Sequence, residues 1–291
     1  MDDKKLKWIF LVILSVIWGS SFILIKKGLI GLTAYQLGSL RIVFTAIFLF
    51  IIGFNSFKKI EKRHYKPVVI SAFLGTFIPV YMFALAETEI DSSIASILNS
   101  LTPLNTLIFG FFFFKMTFNK SQLFGVIIGL VGTLILIVSG ANLNPDQNYW
   151  FSVFVLIASV CYAFNVSIIK TYLQDLNAMS IAVGNFAVIT IPALIVLMCT
   201  GFFKSEVITS DIVQTSMLYL VLLAIFGTGI AKVMFNRLVQ ISTPIFSSSV
   251  TYTIPIIALV WGVLDGEKIN MAQILATGII LLGVFLANRK N

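Results

Sequence analysis

Charge is scarce in this 291-residue chain: Asp, Glu, Lys and Arg make up 11% of it, against roughly 25% in a soluble globular domain. With 58% hydrophobic residues and a mean hydropathy of +1.01, that shortage excludes a soluble domain and a disordered chain alike. Cysteine is nearly absent. Cys161 and Cys199 stand alone inside apolar runs, so neither a disulfide framework nor a thiolate metal site can be assembled. Histidine occurs once, as His64 in a basic loop beside Arg63 where solvation is expected, and the chain has neither an HExxH motif nor a P-loop. No metal and no cofactor is therefore expected, and direct use of ATP loses its sequence basis. The twelve acidic residues fall in tails, connections or span ends. A carboxylate deep in the membrane, the usual proton carrier of driven transporters, is not in evidence, and Glu87, Glu89 and Asp91 read as a solvated edge.

Apolar runs are what the chain does have. They give ten candidate spans, at about 8–26, 34–55, 67–86, 92–114, 121–139, 149–170, 178–200, 213–238, 244–264 and 271–288, near the roughly 20 residues that a bilayer crossing needs. Thr33, Asp91 and Thr243 stand where an N-cap side chain accepts backbone N–H groups, and Pro67 and Pro244 where a first-turn proline loses no hydrogen bond. The first run is followed by Lys26 and Lys27 without a small-residue cleavage pattern, so it reads as a retained span. Lys and Arg accumulate in cytoplasmic loops. Of the twenty here, fourteen fall on the side of the N-terminus (Lys4, Lys5, Lys7, Lys58, Lys59, Lys62, Arg63, Lys66, Lys115, Lys120, Lys170, Arg237, Arg289 and Lys290). Four fall opposite (Lys26, Lys27, Lys204 and Lys268), and Arg41 and Lys232 lie within spans. Both termini are thus expected in the cytoplasm. The formal charge of +8 serves topology rather than nucleic-acid binding.

The two halves match without gaps at an offset of 152: Gly75, Thr76, Ile78, Met82, Phe83, Ser96, Pro103 and Gly110 recur as Gly227, Thr228, Ile230, Met234, Phe235, Ser248, Pro255 and Gly262. At 144, Ser15, Val16, Ile25 and Lys26 recur as Ser159, Val160, Ile169 and Lys170; at 151, Gln122 and Gly132 recur as Gln273 and Gly283. A unit of five spans is odd, so its second copy enters the membrane from the opposite side. The expected fold is all-α, with ten transmembrane helices as two inverted five-helix repeats, residues 1–140 and 149–291; secondary transporters are often built this way, with the substrate site near the midplane between the copies.

The same residues carry a family resemblance. Trp18-Gly19-Ser20-Ser21-Phe22, Arg41, Asn99-Ser100-Leu101-Thr102-Pro103, Tyr252-Thr253-Ile254-Pro255 and Gly266-Glu267 are similar, in order and spacing over nearly the whole chain, to the EamA branch of the drug/metabolite transporter superfamily. The resemblance implies a ten-helix basket around a central cavity, usually exporting amino acids or other small metabolites across a bacterial inner membrane. One departure is clear: the family often carries an acid in both halves, whereas here Glu267 in the second answers to Lys115 in the first.

A path for a polar solute needs polar or aromatic side chains on one helical face. In the fourth span Ser92, Ser96, Asn99 and Pro103 follow at intervals of 4, 3 and 4, and the repeat places Ser248, Thr251 and Pro255 correspondingly in the ninth, beside Tyr252. Proline frees a carbonyl and bends a helix, which makes Pro79, Pro103 and Pro255 candidate kink or gating positions. The first and sixth spans show a matched stripe, Ser15, Trp18 and Ser21 against Ser159, Tyr162 and Asn165, in which a ring can stack on a substrate that hydroxyl and amide groups orient. Trp18 lies mid-span, away from the interfacial belts where Trp normally sits. Thr228, Lys232 and Asn236 form a further stripe in the eighth span, with Tyr81 of the third as companion. The candidate substrate-binding set is Trp18, Ser21, Tyr81, Ser96, Asn99, Tyr162, Asn165, Thr228, Lys232, Asn236, Thr251 and Tyr252. An ammonium at Lys232 either meets a substrate carboxylate or phosphate or snorkels toward Arg237, and Arg41 either contacts substrate or, the favoured reading, fixes a helix through carbonyl bonds.

Gly125 with Gly129 and Ala272 with Ala276 are small-residue pairs that pack helices or a homodimer, and Phe111 to Phe114 read as lipid-facing bulk. The function expected is a secondary transporter, an exporter or a facilitator/exchanger. It would move small polar metabolites such as amino acids across the cytoplasmic membrane by alternating access at a cavity between the repeats. Its partners are the solute and the bilayer, not nucleic acid. A membrane-embedded enzyme acting on lipid is the rival class, but the sequence offers it no catalytic cluster; a channel is the other, without a visible ring of charge or filter loop.

Overall fold

The computed structural model describes residues 2–114, 120–143 and 146–288. Lys115, Arg289 and Lys290, used above for orientation and for the departure from the family pattern, lie outside the described residues. In chain order the main helices are α1 (Asp3–Gly28), α2 (Ala34–Phe57), α3 (Lys62–Ala86), α4 (Ser92–Phe114), α5 (Lys120–Leu143), α6 (Tyr149–Tyr172), α7 (Ala178–Cys199), α8 (Asp211–Ile241), α9 (Pro244–Leu264) and α10 (Met271–Asn288). Among the described residues there is no strand, and eight of these helices are long and apolar enough to cross a membrane. In α5 and α10 the qualifying apolar stretch is shorter, Ile127–Leu136 and Met271–Gly283. Large apolar side chains such as Ile51, Phe112 and Leu264 point outward, while Ser, Thr and Asn of the spans are buried. That is the inside-out polarity of a chain whose backbone must satisfy itself within lipid.

Local chemistry explains the helix starts. Thr33 accepts from the Gln36 amide N–H at 3.2 Å while the Gln36 side chain accepts from the Thr33 N–H at 3.0 Å, a reciprocal cap on α2. Thr243 caps α9 in the same sense, accepting from Phe246. Asp91 occupies the expected N-cap position of α4, but its side chain accepts no backbone N–H there. The free donors are taken instead by Glu267 from the far end of α9, as described below.

Four helices are interrupted, in two matched pairs. α3 widens into a π-helical turn at Phe73–Phe77 and α8 at Leu223–Ile230, so the recurring Gly-Thr pairs 75–76 and 227–228 fall in the widened turns. α4 breaks at Ser100 and Leu101, between Ser92–Asn99 and Thr102–Phe114. α9 passes through a 3-10 turn at Ser249–Tyr252 before resuming as Ile254–Leu264. Pro79, Pro103 and Pro255 each stand in the first turn after a break, where a missing N–H and a fixed φ cost little.

The contacts define two ends of the bundle. One gathers Asp3 with Arg237, Trp8 and Lys7 with Phe246, Arg63 and His64 with Asp175, and Lys170 with the Gln240 carbonyl. The other gathers Lys26 and Lys27 with Asp265, Gln36 with the Thr200 carbonyl, and Asn270 with the Ser139 carbonyl. His64 is not solvated as expected: it is 3% exposed, with Nε2 3.2 Å from Asp175. A loop that looks merely basic in sequence is pinned across the bundle end by an acid 111 residues away.

α5 packs along α10 through backbone contact. A side-chain carbon added at Gly283 would collide with the backbone of Gly125 and Gly129, so the GxxxG pair serves intramolecular packing. Gly278, on the same helix, has open space at that position. Gly283→Val should therefore cost about 1–3 kcal/mol through overpacking and lower the thermal midpoint in detergent, whereas Gly278→Ala should not. Equal midpoints for the two variants would refute this packing.

Candidate functional site

Seven helices converge on a single cavity between them. Its walls come from Trp18, Ser21, Phe22 and Ile25 of α1, Arg41 of α2, Gly75, Thr76, Val80 and Phe83 of α3, and Asn99 and Thr102 of α4. Tyr162, Asn165 and Val166 of α6, Gly227, Thr228, Lys232 and Phe235 of α8, and Ser248, Thr251 and Ile254 of α9 complete it. Eight of the twelve residues singled out in sequence meet here: Trp18, Ser21, Asn99, Tyr162, Asn165, Thr228, Lys232 and Thr251.

Four do not line it, each for a local reason. Tyr81 turns to Ser39, oxygen to oxygen 2.7 Å, with its ring against Phe77 and Gly38. Ser96 is fully buried and donates to the Ser93 carbonyl at 2.6 Å, which occupies its hydroxyl within its own helix. Asn236 is fully buried and donates to the Ala178 carbonyl at 3.3 Å; eight residues along a regular helix rotate by roughly 80°, which carries it off the face of Thr228. Tyr252 lies in the 3-10 turn, half-buried against neighbouring apolar side chains.

The π turns organise the cavity wall. The Gly75 carbonyl accepts from Lys232 Nζ at 2.7 Å, and the Gly227 carbonyl accepts from Trp18 Nε1 at 3.0 Å. A side-chain carbon at Gly75 would come to 2.5 Å of Asn165, and one at Gly227 to 2.5 Å of Ser21 Oγ. Both glycines are thus required for close approach, and the residues they admit, Asn165 and Ser21, are themselves partners at the 144 offset. Lys232 does not snorkel: it is 6% exposed and hydrogen-bonded inside the bundle. Arg41 does more than fix its own helix. Its Nε donates to Thr228 Oγ1 at 2.7 Å, and Thr228 in turn donates to the Leu223 carbonyl five residues back, the spacing of the widened turn. Sequence reasoning left Arg41 out of the site because it weighed the residue alone; its position within a span, like that of Lys232, was the available signal.

A second polar assembly lies at one end of the bundle. Glu267 accepts from the Ser92 and Ser93 amides at 3.1 and 3.2 Å, from their hydroxyls at 2.6 and 2.5 Å, and from Lys26 Nζ at 2.9 Å. The carboxylate therefore caps the start of α4, where the helix dipole favours negative charge. Gly266, at φ +88°, turns the chain back for this, and Gly262 leaves the space that the carboxylate fills. Glu87 corrects the expectation of a solvated acidic edge: it is 7% exposed, and neither carboxylate oxygen has a hydrogen-bond partner among the described residues. Burial, reinforced by the charge of Glu267, pushes its carboxyl well above the usual range, toward the neutral form.

A cavity walled by interrupted helices in an apolar bundle is the architecture of a membrane transport protein. The particular family follows from comparison: the model of the EamA-like transporter family matches residues 6–138 and again 150–289, and the chain belongs to that family. An inner membrane transporter of Escherichia coli, YedA, named as uncharacterized, is 28% identical over 94% of this chain and 87% of its own length. A probable amino-acid metabolite efflux pump of Salmonella typhimurium is 25% identical over 93% of this chain and 91% of its own. An S-adenosylmethionine/S-adenosylhomocysteine transporter of Chlamydia muridarum is 22% identical over 94% and 89%. A solved crystal structure shares the fold with a TM-score of 0.68 at 15% identity, covering 96% of this chain and 95% of that one.

Burial alone would raise the Glu267 carboxyl, but the hydrogen bonds from Ser92, Ser93 and Lys26 outweigh it and hold the group below its usual range. A value lower in the folded than in the unfolded chain means that ionised Glu267 stabilises the fold above the unfolded value of about 4.3, and that this contribution fades as pH falls through the folded value. Glu267→Gln should cost about 1.5–3 kcal/mol at neutral pH, the range for hydrogen bonds to a charged group. Thermal melts from neutral to acidic pH should show the gap to the unaltered protein closing; a gap independent of pH would remove the charge from the explanation.

Proposed function

We propose that this protein is a secondary transporter of small polar metabolites such as amino acids, working by alternating access at the cavity between two five-helix units, residues 1–140 and 149–291. In this reading all ten helices cross the membrane and the second unit is inverted relative to the first. The observation that carries it is the pairing of interruptions: π turns in α3 and α8 and breaks in α4 and α9 fall at corresponding positions and surround one cavity. Discontinuous helices at a repeat interface are how secondary transporters expose backbone dipoles to a solute. The double match of the family model supports the same two units. The substrate class draws further support from the relatives named as an amino-acid metabolite efflux pump and an S-adenosylmethionine/S-adenosylhomocysteine transporter. Trp18, Asn99, Tyr162, Asn165 and Thr228 contact the solute, and Pro79, Pro103 and Pro255 hold the bends about which the units rock.

The membrane is the cytoplasmic one, with both termini inside, because the basic residues crowd the bundle end that carries Asp3, Arg63 and Arg237. Single cysteines introduced into a Cys161→Ser, Cys199→Ser background test this. In intact cells an impermeant maleimide should label residues 87–91 and 201–212 but not 56–66; labelling of 56–66 overturns the orientation.

For transport itself, purified protein in liposomes should show saturable counterflow with members of a panel of radiolabelled amino acids and related small acids. Trp18→Ala and Asn99→Ala should lower that flux at least ~10-fold, about 1.4 kcal/mol, at normal membrane abundance, and Phe112→Ala on the lipid face should change little. Equal effects of Asn99→Ala and Phe112→Ala would mean that the cavity is not the path.

A further inference from the structure

The charge inside the cavity is one-sided. Arg41 and Lys232 are the charged side chains among its lining residues, and no carboxylate lines it. Both cations are buried, at 9% and 6% exposure, and neither forms an ion pair among the described residues. Both meet α8: Arg41 Nε is bonded to Thr228, four residues before Lys232. Each keeps donors in reserve: the two terminal nitrogens of Arg41 make no hydrogen bond among the described residues, and Lys232 spends one on Gly75 of the three that an ammonium carries. Glu87, the acid whose field reaches Arg41, lies outside the lining, and its buried, unpartnered oxygens favour the neutral carboxyl.

Two buried cations without a counter-charge are unfavourable in a medium of low dielectric, and an intramembrane cation ordinarily has a partner or a substrate to meet. The same lining carries the rings of Trp18, Phe83 and Tyr162, and at the 152 offset Lys232 answers to Val80, so the first half supplies no second ammonium.

From this we infer that the cavity binds net-anionic organic acids, with the carboxylate held between Arg41 and Lys232 and an apolar or aromatic body lying against Trp18, Phe83 and Tyr162. The inference rests on the reading of this cavity as the carrier's substrate site. It goes further in one respect: an amino-acid zwitterion brings an ammonium that finds cations and no carboxylate in the walls, so a deaminated acid binds better than the amino acid of the same body.

Four probes with one body and different head groups separate the cases: 3-phenylpropionate, L-phenylalanine, 3-phenylpropionamide and 2-phenylethylamine, titrated calorimetrically into the purified full chain in detergent. The expected result is tightest binding of 3-phenylpropionate, at least ~10-fold over the amide, a difference of about 1.4 kcal/mol. Lys232→Met should lose that preference and Lys232→Arg should keep it, each variant being checked for monodispersity and melting. Arg41→Gln repeats the test from the other cation, should Lys232→Met fail to fold. Equal binding of acid and amide, tighter binding of phenylalanine or of the amine, or no binding of any probe overturns the inference. Counterflow of the bound probe in liposomes distinguishes the two readings. A probe that binds by charge but does not cross leaves the anion site standing and removes the carrier, whereas counterflow of the amine or of phenylalanine in preference leaves the carrier standing and removes the anion site.

Discussion

Two glycine carbonyls hold the cavity together. In the hydrocarbon layer an unsatisfied polar group costs several kcal/mol, so a polar site can exist there only where backbone groups are released and taken up again by protein or solute. The π turns of α3 and α8 achieve this by widening the helix at Gly75 and Gly227. One carbonyl then receives Lys232 and the other Trp18. Only glycine permits it, because any side chain at these positions would collide with Asn165 or Ser21. Helix widening, the donors placed opposite and the polar lining are consequences of one constraint, and they occur twice because the sequence element that generates them occurs twice.

The end of the bundle near Glu267 depends on a comparable arrangement. The start of α4 carries unpaired amide donors, and its own N-cap residue does not accept them. A carboxylate from another helix does, held there by a left-handed glycine and neutralised by Lys26 of α1. Three helices are thereby tied at one point: α1, α4 and the end of α9. At the opposite end His64, Arg63 and Asp175 tie the α2–α3 and α6–α7 connections. Each end is closed by polar contacts that a rearrangement would have to break.

Much of this was legible in the chain. Apolar runs located the helices to within a few residues because bilayer thickness fixes their length, and Pro79, Pro103 and Pro255 marked bends, whereas the recurring Gly-Thr pairs were read as a repeat and not as the widened turns they form. What escaped were properties that arise between helices. Periodicity put Asn236 and Ser96 on the cavity face, but a stripe counted along a regular helix does not survive rotation over eight residues, and the Ser96 hydroxyl is taken by the Ser93 carbonyl of its own helix. His64 and Glu87 looked solvated because each neighbours polar residues in sequence, yet burial is decided by what another helix brings. Arg41 was discounted for want of a visible partner; its partner, Thr228, lies 187 residues away.

The repeat also shows where the two halves differ. Corresponding positions retain what the fold needs: glycine for close approach, threonine beside it, proline after the break. They differ at other lining positions, with Val80 against Lys232, Ser21 against Asn165 and Trp18 against Tyr162. A two-fold site with identical walls would present the same groups to both ends of a solute. Here Arg41 and Lys232 are the charged groups of the lining, and the first copy has Val80 where the second has Lys232. Because Lys232 and Trp18 both line the cavity and donate to the Gly75 and Gly227 carbonyls, a substitution on this wall acts on the lining and on the widened turns together.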